Sequence, residues 1–212
     1  MKSLIISPEN ITAVILAGGL GRRMGGVDKG LQLIHGKPMV QQVLNRLQHQ
    51  VGKVLINANR HLDEYKGFSV PICSDSISGY AGPLAGIHAA LLQTDTAYLV
   101  SVPCDSPLLP NDLVSRLSFA MSEHKADAAV VVTGDGEQRQ RQRHPVFLLL
   151  KSDLRSSLEH YLNNGGRKVD DWLASLKCVD VPFDDEAAFT NVNTPEDIQA
   201  LITTTGSRPT PG

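Results

Sequence analysis

The chain has 212 residues, 42% hydrophobic and 20% charged, which is enough for one sizeable core and too apolar for a disordered polymer. Its 20 basic and 22 acidic residues leave a formal charge of -2, so no overall field draws it to nucleic acid or to an anionic membrane, and any basic site must be local. Cys73, Cys104 and Cys178 are scattered and lack a CxxC pair, which excludes a disulfide framework or structural zinc site and suits free thiols in a reducing cytoplasm.

Taken in chain order, the first apolar run, 12–17, reads as a strand. It mimics a signal peptide poorly, because it is short, follows Pro8-Glu9-Asn10 and leads into a basic loop rather than a cleavage segment. A helix is expected over 38–50, strands over 53–57 and 70–73, a helix over 83–93 and a strand over 97–102. A helix over 110–124 and a strand over 127–132 complete this rhythm, with Pro38, Pro83 and Pro110 suited to first helical turns. Strands separated by helices predict an α/β fold: a three-layer, Rossmann-like, mainly parallel sheet with helices on both faces.

The second half is less regular. Gly134-Asp135-Gly136 predicts a turn, 138–143 a polar basic run that suits a solvated loop, and 145–150 a strand that is either an edge or an antiparallel insert. Helices are expected over 151–162, 167–176 and 195–203, with Asn163-Asn164-Gly165-Gly166 stopping the first. One domain over 1–203 and a disordered tail over 204–212 follow, the first half binding nucleotide. No run reaches membrane-spanning length, so the expectation is a cytoplasmic, soluble protein, monomeric and contacting neither nucleic acid nor membrane.

The loop after the first strand carries the chemistry. In 16–29 (Leu-Ala-Gly-Gly-Leu-Gly-Arg-Arg-Met-Gly-Gly-Val-Asp-Lys), glycines let main-chain N–H groups approach phosphate oxygens, while Arg22, Arg23 and Lys29 oppose polyanionic charge. A dinucleotide fingerprint started at Gly19 and Gly21 would need a third glycine where Met24 stands, and no Gly here precedes Lys and then Ser or Thr as a P-loop requires.

Ligands of such sheets lie beyond the carboxyl ends of the strands. The later strands end in Asn57-Ala58-Asn59, Ser74-Asp75-Ser76 and Pro103-Cys104-Asp105-Ser106, polar segments expected to converge with the glycine loop on one crevice. Asp105 is the candidate Mg²⁺ ligand, since Mg²⁺ accepts a single carboxylate and completes its shell with phosphate and water. Asp75, Asn57 and Asn59 could read a base or ribose, although Asx-turns closing the strands would use the same residues.

The run 16–29, Asn57-Ala58-Asn59, Asp75 with Gly82-Pro83-Leu84-Ala85-Gly86, Pro103-Cys104-Asp105 and Asn191-Val192-Asn193-Thr194-Pro195-Glu196 together resemble the molybdenum cofactor guanylyltransferase family. The resemblance implies a nucleotide-diphospho-sugar transferase type of fold. It also implies transfer of GMP from Mg²⁺-bound GTP to the terminal phosphate of molybdenum-molybdopterin, giving the guanine dinucleotide form and pyrophosphate. Carried over by position, Leu16, Ala17, Gly18, Gly19 and Lys29 contact GTP, as do Asn57 and Asp75, and Asp105 holds both metal and nucleotide. Asn191 and Asn193 match the late motif, Asn193 near the metal by analogy with sugar nucleotidyltransferases. Lys29, Arg22 and Arg23 would steady charge in the transition state.

Arg139, Arg141, Arg143, His144, Arg167 and Lys168 are candidates for the pterin side, although the Gln/Arg run there is longer than the family pattern. A molybdenum-insertion protein and molybdoenzyme delivery chaperones are partners by the same likeness. The competing readings are a cytidylyltransferase of the same cofactor, a sugar-1-phosphate nucleotidylyltransferase and a GTP-binding regulatory module.

Overall fold

The computed structural model describes residues 6–18, 28–77, 82–134 and 141–206. Runs of Val, Ile and Leu build β1 (Ile11–Leu16), β4 (Lys53–Asn57), β5 (Ile72–Cys73), β6 (Tyr98–Pro103), β7 (Ala128–Thr133), β8 (Gln142–Lys151) and β9 (Cys178–Pro182), joined in the order β5-β4-β1-β6-β8-β7-β9. The pairings are parallel except on either side of β8, which runs against both β6 and β7. The antiparallel insert is therefore central and not an edge.

Residues alternate between two cores along each strand, as a pleated sheet buried on both faces requires. Ala13 and Ile15 of β1 point one way with Val40, Val43 and Leu44 of α1 (Met39–Leu47) and Leu113 and Leu117 of α4 (Leu113–His124). Val14 points the other way, with Leu84 and Ile87 of α3 (Pro83–Gln93), Leu158 and Leu162 of α5 (Arg155–Asn163) and Trp172 of α6 (Val169–Leu173). This is the expected three-layer α/β arrangement. Among the described residues, no helix is long and apolar enough to cross a membrane.

Several elements differ from the sequence expectation. The basic run ends as strand, because Gln142 and Arg143 pair with Thr133 and Val132 in the β7–β8 ladder. The β9 segment, which alternates too weakly to announce itself, pairs parallel to β7. Five residues form α2 (Leu62–Lys66), and β2 (Leu33–Ile34) and β3 (Lys37–Pro38) make a hairpin whose turn puts His35 and Gly36 at positive φ. Pro38 and Pro110 precede their helices, while Pro83 opens α3. Helix α7 (Pro195–Gly206) runs three residues into the expected tail, and the remainder, 207–212, lies outside the described residues.

Candidate functional site

The ends of the four parallel strands lie level. Leu16 is in register with Asn57 and Pro103, and Asn57 with Cys73. The ladder continues one residue further, from Ala17 N–H to the Asn57 carbonyl at 2.8 Å, Ala58 N–H to Cys73 at 3.0 Å and Cys104 N–H to Leu16 at 3.1 Å. The segments that follow consequently leave the sheet side by side. Leu16, Ala17 and Gly18 stand at this edge, and a Cβ on Gly18 would lie 2.8 Å from Asn59 Nδ2 and 2.9 Å from Asn57 Oδ1. Gly19, Arg22 and Arg23 lie outside the described residues, as does Arg139.

Asn57, Asn59 and Asp75 lock together on one flank. The Asn57 and Asn59 amides each donate to a different oxygen of the Asp75 carboxylate at 2.9 Å, and the Asp75 main-chain N–H returns a 2.9 Å bond to Asn59 Oδ1. Ser74 Oγ donates to the Ala58 carbonyl, fixing the neighbouring turns to each other. The Asx-turn alternative is thus replaced by cross-strand bonding, which makes a rigid polar ledge from three short side chains.

The other flank joins Lys29, Asp105 and Asn193 from three distant parts of the chain. Lys29 opens a single 3₁₀ turn, Lys29–Leu31, and its Nζ donates to Asp105 Oδ2 at 3.0 Å and to Asn193 Oδ1. The Asp105 carbonyl accepts from Val192 N–H at 2.8 Å, and Ser106 Oγ bonds Asn191 Oδ1 at 2.9 Å, so the late Asn-Val-Asn segment is sewn onto the end of β6. Asn193 is held from the far side by Asp197, whose carboxylate accepts the N–H groups of Asn193 and Thr194 while Thr194 Oγ1 accepts Asp197 N–H. This is a capping box at the start of α7. The two main-chain donors, the Asn193 N–H first, hold the Asp197 carboxyl below its usual range.

The donor chemistry around Lys29 suits a hard divalent cation. Asp105 and Asn193 present oxygens to one positive centre, and among the described residues, this site included, no three or more His, Cys, Asp or Glu side chains gather into a group that could hold a metal. A site with so few protein oxygens fits Mg²⁺, which retains water and takes substrate phosphates. Cys104 beside it is buried and its thiol is pushed well up, first by desolvation and then by Asp105 and Asp28, so it stays a protonated packing residue.

Beyond Asn193 a cleft of about 460 Å³ opens between β8 and the 3₁₀ turn Glu186–Phe189, bordered by Pro103, Arg143, His144, Glu186, Phe189 and Asn191. A buried aromatic cluster lies behind it: the Phe189 ring centre is 5.0 Å from those of both Phe147 and Phe183, and the half-buried His144 ring is 5.4 Å from Phe189. His144 Nε2 bonds Thr133 Oγ1 at 2.8 Å, and desolvation pulls its pKa down against the opposing charge of Glu186. Arg143 reaches the cleft wall but is already matched, with Nε 2.8 Å from Asp180 Oδ1 and a 3.5 Å ion pair to Asp170. Arg141 also pairs with Asp180, at 2.9 Å.

Arg167 is not brought to this cleft. Its guanidinium donates to the carbonyls of Leu162 and Gly166, closing the end of α5. Sequence reasoning missed Glu186 and Phe189, whose only signal was an apolar residue following acidic Asp184-Asp185-Glu186. It also passed over Asp197, although its spacing from Thr194 of the late motif is a readable capping box.

With that geometry in hand, residues 13–179 match the MobA-like NTP transferase domain. A molybdenum cofactor guanylyltransferase of Cupriavidus metallidurans is 52% identical over 194 residues, covering 92% of this chain and 95% of that one. Another, from Polynucleobacter asymbioticus, is 46% identical over 197 residues, covering 93% and 98%. Among solved structures, molybdopterin-guanine dinucleotide biosynthesis protein A from Archaeoglobus fulgidus superposes with a TM-score of 0.74 at 23% identity, covering 93% of this chain and all of that one. A 4-diphosphocytidyl-2C-methyl-D-erythritol synthase from Anaerococcus prevotii shares the fold at 13% identity and a TM-score of 0.72, covering 94% and 97%.

Proposed function

The chain belongs to the MobA-like NTP transferase family and is a nucleotidyltransferase of molybdenum cofactor biosynthesis, and from that premise we propose that it moves GMP from GTP to the terminal phosphate of molybdenum-molybdopterin. The observation that carries this reading is the bridge from Lys29 to Asp105 and Asn193, set across the same sheet edge from the Asn57–Asn59–Asp75 ledge. A cationic, oxygen-rich flank suits a triphosphate, and a carboxylate flanked by amides suits the N–H donors of guanine or the ribose hydroxyls.

On this reading the nucleotide lies along the strand ends, with main-chain groups of Leu16, Ala17 and Gly18 at its phosphates and Asn57 and Asp75 at its nucleoside. An oxygen of the acceptor phosphate attacks the α-phosphorus, a new P–O bond forms, and the bond to the β-phosphate oxygen breaks. Pyrophosphate leaves with that electron pair. A phosphate monoester is already ionised at neutral pH, so no side chain need remove a proton from the nucleophile. Lys29 opposes charge growing on the leaving group, and its existing contact with Asp105 pre-aligns it, which lowers the reorganisation needed as the bond breaks. Mg²⁺ held by Asp105, with Asn193 beside it, would supply further charge neutralisation when bound.

The acceptor is assigned to the cleft beyond Asn193. A flat heteroaromatic ring suits the half-buried His144, which the buried Phe147 and Phe189 rings hold in place, whereas Arg143, matched by Asp180 and Asp170, has little charge left for a phosphate. The deciding experiment compares GTP, CTP and ATP with molybdopterin-type acceptor and measures pyrophosphate release. Release confined to GTP supports the proposal. Preference for CTP, or release only with sugar phosphates, overturns it in favour of another nucleotidyltransferase substrate pair.

A further inference from the structure

Lys29 stands on one turn of 3₁₀ helix, an element too short to fix a side chain with four rotatable bonds. What steadies it lies behind the turn. Asp28 is buried, and its Oδ1 accepts two donors: Gly30 N–H at 3.1 Å, closing the turn, and the Tyr65 hydroxyl at 2.6 Å. Tyr65 is fully buried on α2 and 37 positions away in sequence, so this bond ties the Lys29 turn to a separate part of the fold.

The turn is also pressed onto that tyrosine. A Cβ on Gly30 would stand 2.5 Å from the Tyr65 hydroxyl oxygen and 3.4 Å from Cys104 Sγ, so position 30 has room only for glycine. The Tyr65 hydroxyl therefore locates the lysine of the Lys29–Asp105 pair through its turn. Burial pushes the Tyr65 hydroxyl far above the ordinary phenol range, so it remains a donor at every working pH.

We propose that Tyr65, acting through Asp28, is a positioning residue that sets the Lys29 ammonium on Asp105 and Asn193. Removing the hydroxyl leaves a buried carboxylate oxygen short of a donor, and the turn relaxes toward water. A displacement of about 1 Å at Lys29 is enough to spoil alignment with a reacting phosphate. The inference rests on the reading of Lys29 given under the proposed function, since it assigns Tyr65 no contact with substrate.

The test is a double-mutant cycle of Tyr65→Phe and Lys29→Ala, with GTP-dependent pyrophosphate release, GTP titration without acceptor and thermal unfolding measured on each full-length protein. Tyr65→Phe is expected to lower kcat/KM for GTP about tenfold, Lys29→Ala to lower it further, and the double variant to match Lys29→Ala alone. A second, multiplicative loss in the double variant overturns the proposal, because a merely softened fold does not depend on Lys29. Wild-type kinetics in Tyr65→Phe overturns it too, leaving the Lys29 reading intact. Wild-type kinetics in Lys29→Ala instead overturns that reading, and the positioning role with it. If Tyr65→Phe does not fold, Asp28→Ala and Asp28→Asn replace it. The asparagine, which keeps an oxygen for both donors, should lose much less than the alanine, and equal losses refute the role.

Discussion

Gly86→Ala probes how closely the sheet edge is packed around the nucleotide ledge. Position 86 closes the first turn of α3, against the end of β4, where an added methyl would stand 2.4 Å from Asn57 Oδ1 and 2.8 Å from both Asn57 Cγ and Leu16 Cδ2. Ordinary contact begins near 3.4 Å, so the amide would have to retreat by about 1 Å. It cannot do so freely, because Asn57 is almost fully buried, its amide donates to Asp75 at 2.9 Å, and Gly18 closes its other side. Overpacking of this kind costs about 1–3 kcal/mol, against a helix-propensity gain of about 1 kcal/mol for alanine over glycine. The net loss of up to about 2 kcal/mol lowers Tm by up to about 8 °C for a chain of this size. The displaced amide also loosens Asp75, so KM for GTP should rise more than kcat falls. Thermal unfolding and GTP kinetics on the purified variant measure both. A Tm that rises, together with an unchanged KM, would refute the reasoning, because helix propensity would then outweigh the Asn57 contact.

Two further perturbations address the acceptor side. His144 has a folded pKa below its unfolded value because desolvation opposes protonation, so the stability it contributes is complete above about pH 6.5 and is lost as pH falls from there toward the folded pKa. Tm should drop on acidification from pH 7 to about 5.5, and His144→Gln, which keeps a partner for Thr133, should flatten that dependence; an equal slope in the variant rejects the assignment. Phe189→Ala removes a buried ring with three aromatic neighbours and should cost about 3–5 kcal/mol by denaturant titration, while raising KM for the acceptor far more than for GTP. Equal rises in both would separate the cleft from the acceptor.

The first half of the fold was legible because its signals are local and repeated. Apolar runs of strand length alternate with amphipathic stretches, and the rule that ligands lie past parallel strand ends singled out Asn57, Asp75 and Asp105 before their registers were known. Asp105 with Lys29, 76 positions apart in sequence, was legible only as two motif residues, since their 3.0 Å contact is made by tertiary packing.

The second half hid its roles in pairings. Arg143 looked like a free cation because Asp180 and Asp170 lie on other elements, and Arg167 looked like a ligand group although helix carbonyls claim it. β9 was invisible as a strand because Asp180 interrupts its apolar pattern while serving Arg143. Tyr65 carried no signal in the sequence, because its partner Asp28 lies 37 positions away and the two meet only through tertiary packing.

Asp105→Asn tests the central claim most directly, since it keeps the size and the oxygen of the side chain while removing the charge that meets Lys29 and would face the metal. Pyrophosphate release from GTP with molybdopterin-type acceptor should fall by at least about a hundredfold, with thermal unfolding nearly unchanged. Turnover close to the unmodified rate in a folded Asp105→Asn protein would contradict the account and remove Asp105 from the reaction.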